Sequence, residues 1–350
     1  MTDHGGDWAS FEGTYGVPPL DFSANVSPFE LPAAVRNAAK AALTETGRYP
    51  DPQCRALRKK LSAYHGIPAA WILCGNGAAD LIYRLAGARR PRTALVTAPT
   101  FSEYENALTL WGCRVSRFSL NEANGFSITE DILPAITPEL DLLFLCEPNN
   151  PTSRTTDRLL LEQILDRCAA CGTLLAVDEC FNDLLDDPAA HTLLESLQRY
   201  ENLLILRAFT KSRGLAGLRL GYTLSQDAAL RVALARSGPP SAVSSVRAMP
   251  KSTASLEDQE SLKALRRLIR RERPRLAAGL SALGCRVCPG EANYLLFFQG
   301  IPALPQKLAQ RGVLSRDCSN YHGLGHGWYR AAVRTEAENG EFLKIMKEVL

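Results

Sequence analysis

Residues 202–224 read NLLILRAFTKSRGLAGLRLGYTL, an apolar run, a Thr-Lys pair, a glycine-punctuated turn and a second apolar run, 218-LRLGYTL-224. A run apolar at every position suits a strand buried on both faces, the condition of a parallel sheet covered by helices. Similar runs lie at 93-TALVTA-98, 141-DLLFLC-146 and 173-TLLAVD-178. Between them the spacing turns helical, as in 53-QCRALRKKLSAYHG-66, 103-EYENALTLWG-112 and 158-RLLLEQILDRCAACG-172. Strand and helix signals in alternation predict a doubly wound α/β fold with a mostly parallel sheet over residues 46–240. From 241 to 350 the pattern changes to a long charged helix followed by 292-ANYLLFF-298 and 328-WYRAAVR-334, which alternate like strands of a smaller α+β C-terminal domain. The first 45 residues, with HGG, PPLDFSAN and SP, read as an extended N-terminal arm packing on the small domain and the site.

The 350 residues exceed one usual compact core. With 46% hydrophobic and 22% charged residues the chain reads as an ordinary globular protein. Forty basic residues against 37 acidic give a formal charge of +3, and nothing in that total calls for a nucleic-acid partner. The densest basic run, 266-RRLIRRERPR-275, has the spacing of a solvated helix face with Leu268 and Ile269 turned inward. No stretch approaches the length of a membrane span, and MTDHGGDWAS lacks a signal-peptide core, so the expectation is a cytoplasmic protein. The ten scattered cysteines read as reduced core residues. Two CxxC pairs, Cys168/Cys171 and Cys285/Cys288, invite a zinc reading; the first lies in a helical pattern and the second opens a strand, where i and i+3 face opposite sides, and no metal is expected.

Open parallel sheets place ligands at the carboxyl ends of their strands. Here those ends carry Asp178-Glu179, 147-EPNNPTS-153 and Thr210-Lys211, and the turn 75-GNGAAD-80 enters a helix whose first amides suit a phosphate. A lysine closing a buried strand is unusual enough to ask for a chemical use.

The order GNG, PTF, NNPT, DE and TKxxxxxGLR resembles that of fold-type I pyridoxal-phosphate enzymes, in the class I/II aminotransferases and their histidinol-phosphate branch, over residues 20–345. By that resemblance Lys211 is the lysine that condenses with the cofactor aldehyde, and Asp178 keeps the pyridine nitrogen protonated. Asn150 donates to the phenolic oxygen. Arg219, Thr210 and the amides of Gly77 and Ala78 hold the cofactor phosphate, and Phe101 stacks on the ring. Tyr49 reaches the phosphate of the other subunit, which implies a homodimer with shared sites. Arg330 grips the substrate carboxylate, with Arg316 beside it.

Within the branch, 4-HGG-6, 21-DFSAN-25, 48-RYPDP-52, 318-CSNY-321 and 329-YRAAVR-334 look most similar to the decarboxylases of L-threonine O-3-phosphate in cobalamin synthesis. This likeness implies a small phosphorylated amino acid as substrate, its phosphate received by His4, the amide of Gly5 and Asn25, with Arg154 or Arg158 beside them. A histidinol-phosphate-type aminotransferase, and a decarboxylase preferring L-serine O-phosphate, are the alternatives. The sequence departs from the pattern at Ala208, where relatives carry Ser or Thr, at Phe181, which lacks a tyrosine hydroxyl, and at Ser153, where glycine is usual. The stretch 237–259 is rich in Pro and Ser, as a loop over the site would be.

Overall fold

The structure is a computed structural model, and it describes residues 5–238 and 255–350 apart from positions 43, 45, 46 and 48. His4 and most of the 237–259 stretch therefore lie outside the described residues.

Helix α1 (Trp8–Tyr15), strand β1 (Leu20–Asp21), and helices α2 (Ala33–Ala42) and α3 (Arg55–His65) precede the main sheet. This corrects the expectation of an extended arm. Asp7 caps α1 by accepting from the Ser10 amide, Gly16 ends it in the left-handed region that glycine adopts freely, and Trp8 Nε1 ties it to Asp21 at 2.8 Å.

Next along the chain come β2 (Ile72–Gly75), α4 (Ala78–Arg89), β3 (Thr93–Ala98), α5 (Glu103–Leu110), β4 (Arg114–Ser119) and β5 (Leu142–Cys146). After them come α6 (Arg158–Cys171), β6 (Leu174–Asp178), β7 (Leu203–Ala208), β8 (Gly221–Leu224) and α7 (Ala228–Arg236). The seven strands form one sheet in the order β2-β8-β7-β6-β5-β3-β4, with β8 antiparallel to both neighbours and the pairs from β7 to β4 parallel. Leu143, Leu145, Leu175, Val177, Leu203 and Ile205 join one apolar cluster, and their alternates Leu142, Phe144, Leu174, Ala176, Leu204 and Leu206 join another. Both faces are covered, which is why these strands are apolar throughout. The run from 218 becomes strand only at Gly221, after a 3-10 turn over Ala216–Leu218.

Helix α8 (Gln259–Ala282) leads to β9 (Arg286–Val287), β10 (Tyr294–Phe298), α9 (Leu304–Ala309), β11 (Val313–Leu314), β12 (Arg316–Asp317), β13 (Trp328–Ala332) and α10 (Glu336–Val349). Four of these strands make a second sheet, β12-β13-β10-β9, and β1 pairs in parallel with β11. The 20–25 segment is thereby stitched into this layer: the Phe22 amide donates to Leu314 O, Phe22 O accepts from the Ala332 amide, and the Phe22 ring stacks on Phe342 at 4.2 Å. The basic run on α8 binds across layers rather than facing only water. Arg266 Nε donates to Asp183 O, Arg270 pairs with Asp186, and Arg273 Nη1 donates to Glu291 O at 2.6 Å. Cys285 and Cys288 flank β9 and enter different apolar clusters, and among the described residues no group of three or more His, Cys, Asp or Glu could hold a metal ion. No helix of the described residues is long and apolar enough to cross a membrane.

Candidate active site

Strands β5 and β6 end in register, Cys146 beside Asp178, so the 147–156 loop and Asp178 emerge at one edge of the sheet. Strand β7 ends nearby and delivers Thr210 and Lys211. With residues of β12 and β13 they line a cavity of about 350 Å³.

Asp178 is held by two donors, Tyr104 Oη at 2.7 Å to Oδ2 and the Cys180 amide at 3.0 Å to Oδ1. Tyr104 is buried and stacked on Phe144 at 4.8 Å, and burial, then the Asp178 charge, raises its pKa well above the ordinary value, so it remains a donor. Neither a strand end nor a motif marks Tyr104 in the sequence; it lies three residues after Phe101, a spacing that puts two residues on the same side of a helical turn. The Phe101 ring meets it edge-on at 5.6 Å.

Lys211 Nζ sits 5.5 Å from the centroid of Phe181, whose ring packs edge-on against Tyr294. Burial first, and then the Arg330 charge, lower the Lys211 pKa from 10.5 to about 8, close to the range where an amine is partly neutral and nucleophilic. Gly77, at φ +87, precedes α4, and Ala78 and Ala79 of its first turn line the cavity. A Cβ on Gly77 would lie 2.9 Å from Arg219 Nη2, and one on Gly221 would lie 2.7 Å from the Ala78 amide nitrogen. Only glycine leaves this cradle open for an anion beside Arg219. Thr210 also lines the cavity.

On the opposite wall Arg330, on β13, donates through Nη1 to Asn150 Oδ1 and through Nη2 to Ser23 O at 2.6 Å. Its Nε is buried with no hydrogen-bond partner, and so are both polar atoms of Asn25, a residue only 2% exposed that lines the cavity. Buried polar groups are seldom left unpaired, so these atoms mark where a polar ligand belongs. Asn150 accepts from Arg330 through its oxygen, which leaves its amide nitrogen to donate. Arg316 Nη2 donates to Asn320 Oδ1 at 3.0 Å, with the guanidinium 5.2 Å from the Tyr321 ring centre. Gly5 lines the same wall, packed so closely on Ser23 that a Cβ would lie 2.3 Å from its carbonyl oxygen.

Two expected arginines are not brought to the cavity. Arg154 pairs with Glu291 at 3.0 Å and donates to Ser127 Oγ, and Arg158 pairs with Glu162 and donates to Thr192 O. Their positive charges are spent on the protein's own acceptors. Tyr49 is 95% exposed and also stands away from the cavity. A second cavity of about 350 Å³ lies between α1, α9 and β12 and shares Gly5, Ser23 and Arg316 with the first; it lacks the lysine and Asp178.

A half-buried lysine of lowered pKa in one cavity with an aspartate, a glycine-built anion cradle and an aromatic ring fits pyridoxal 5'-phosphate. Fold and site thus define a pyridoxal-phosphate enzyme. The chain matches the family model for aminotransferase class I and II over residues 17–346, and it belongs to that family. It is 38% identical to the threonine-phosphate decarboxylase of Salmonella typhimurium, over 99% of this chain and 96% of that protein. It is 32% identical to histidinol-phosphate aminotransferase 1 of Cupriavidus pinatubonensis, over 95% and 88% of the two. Among solved structures, the histidinol-phosphate aminotransferase from Clostridium acetobutylicum superposes with TM-score 0.86 at 26% identity, covering 94% of this chain and 98% of that one. The enzyme from Sinorhizobium meliloti in complex with pyridoxal-5'-phosphate does so with TM-score 0.87, covering 98% and 94%, and at 22% identity it speaks for the fold alone.

Proposed function

We propose that this enzyme decarboxylates L-threonine O-3-phosphate to (R)-1-amino-2-propanol O-2-phosphate, for the side chain of a corrinoid, and works in the cytoplasm as a homodimer with shared sites. The observation that carries the proposal is the 38% identity, along 99% of the chain, to a threonine-phosphate decarboxylase. The cavity supports it from the chemical side. Arg330 has an unused Nε donor for a carboxylate, and Asn25 offers an unpaired amide on the wall that also holds Gly5 and Arg316. A carboxylate and a phosphate on one small molecule suit that spread of donors.

What the cofactor supplies when bound is a sink for the electron pair released from the breaking Cα–carboxylate bond. Lys211 would attach it, Asp178 would keep the ring nitrogen protonated, and Thr210, Arg219 and the amides of Gly77 and Ala78 would hold its phosphate. Arg330 fixes the carboxylate, and that orientation selects which Cα bond breaks. Once free, Lys211 is the group placed to return a proton to Cα. Phe181, backed by Tyr294, forms the apolar wall on that side of Lys211. Tyr49, exposed on one chain, is suited to complete the site of a second chain.

A histidinol-phosphate-type aminotransferase is the second reading, favoured by relatives such as that of Cupriavidus pinatubonensis. Incubation with L-threonine O-3-phosphate and no oxo acid should release one carbon dioxide per amine formed, with L-serine O-phosphate as comparator. Glutamate formation from histidinol phosphate and 2-oxoglutarate, without carbon dioxide from threonine phosphate, would replace the proposal with the second reading.

A further inference from the structure

Ser153 is fully buried, yet its φ of +62 lies in the left-handed region that residues with a side chain seldom adopt. Glycine would take that conformation without steric cost, so the serine hydroxyl needs a use. The contacts supply one. Ser153 Oγ accepts from the amides of Ala292 at 2.8 Å and Glu291 at 3.1 Å, and Ser153 O accepts from the Glu291 amide at 2.8 Å. Glu291 returns the contact: its carboxylate accepts from Thr155 Oγ1 at 2.5 Å and from the Thr155 amide at 3.3 Å, and pairs with Arg154 Nη1 at 3.0 Å. Tyr294 Oη adds a bond to Asn149 O at 2.9 Å.

These bonds join two different sheets. Residues 149–155 belong to the loop after β5, whereas 291–294 lead into β10, which pairs with β13 so that Leu296 stands opposite Arg330. Arg330 in turn reaches Asn150. We infer that Ser153 and Glu291 are positioning residues, which clamp the Arg330-bearing sheet to the Asn150 loop and so set where a substrate carboxylate is held relative to Lys211. The inference rests on Arg330 taking that carboxylate. Neither residue touches the cavity.

The test uses the cofactor-loaded enzyme with Ser153→Gly, Ser153→Ala, Glu291→Ala and Glu291→Gln. Ser153→Gly removes the hydroxyl while relieving the backbone strain, so it should fold even where Ser153→Ala does not. Two unreactive acids serve as probes, propionate for the carboxylate position alone and 3-phosphooxybutanoate for carboxylate and phosphate together, each titrated by its effect on the cofactor absorption. Both serine variants and Glu291→Ala should bind propionate about three- to tenfold more weakly, with pyridoxal-phosphate affinity within about twofold of the parent. Glu291→Gln should recover part of the loss, and amide exchange at Ala292 should quicken in Ser153→Gly. Unchanged propionate affinity in folded Ser153→Gly overturns the inference, as does a parallel loss of cofactor affinity, which would mean general loosening. Propionate binding that survives Arg330→Met overturns it too. If the parent binds propionate but not 3-phosphooxybutanoate, the phosphate-ester proposal fails and the clamp stands.

Discussion

Replacing Arg330 by Met should raise the pKa of Lys211. In the parent the amine titrates at about 8 instead of its ordinary 10.5, a displacement worth roughly 3 kcal/mol. Burial is the larger cause and the Arg330 charge the next, while Asp178 and Cys180 act in the opposite direction. Removing Arg330 should therefore recover the smaller part, about half a pH unit to one unit, or roughly 1 kcal/mol. Competitive acetylation of the apoprotein across pH 6–11, with the Lys211 peptide read by mass spectrometry, measures the neutral fraction directly. The midpoint should lie near pH 8 in the parent and move upward in Arg330→Met. The folded-state value lies below the unfolded one, so a protonated Lys211 opposes folding. That penalty is full below about pH 8 and fades as the pH rises towards 10.5, and it should vanish in Lys211→Met. A parent midpoint near 10 would refute the desolvation, and no upward movement on removing Arg330 would refute the repulsion between the two cations.

Borohydride reduction of the loaded parent should fix the cofactor to the Lys211 peptide, and Lys211→Ala should abolish that attachment while the other lysines remain unlabelled. Mixing inactive Tyr49→Ala and Arg330→Ala chains under conditions of subunit exchange should restore part of the activity, since one hybrid site would be intact; no recovery would place Tyr49 in service of its own chain. His65 Nε2 lies 2.9 Å from Tyr222 Oη, and burial, then the Arg207 charge, lower its pKa to about 3. The unfolded chain therefore takes up a proton that the folded one refuses, and stability should fall as the pH drops below about 6.5. Urea midpoints at pH 7 and pH 5 should show a smaller decline in His65→Gln.

The sheet strands at 93–98, 141–146, 173–178 and 202–209 were legible because burial on both faces demands an unbroken apolar run. Strand β4 was not, since it closes the sheet at an edge and its residues RVSRFS are mostly exposed. Lys211, Asp178 and Asn150 could be singled out because strand ends gather ligands in such sheets and because their order along the chain matches a known pattern. Their partners could not. Tyr104 on Asp178, Ser23 on Arg330 and the bonds from Ser153 to Glu291 and Ala292 join residues 74, 307, 138 and 139 positions apart. Arg154 shows the same limit from the other side, for a sequence displays an arginine's charge but not the glutamate, 137 positions away, that neutralises it. Local pattern is set by burial period and backbone preference and so can be read along the chain. Which charge meets which depends on how two sheets are pressed together, and only the tertiary structure decided that.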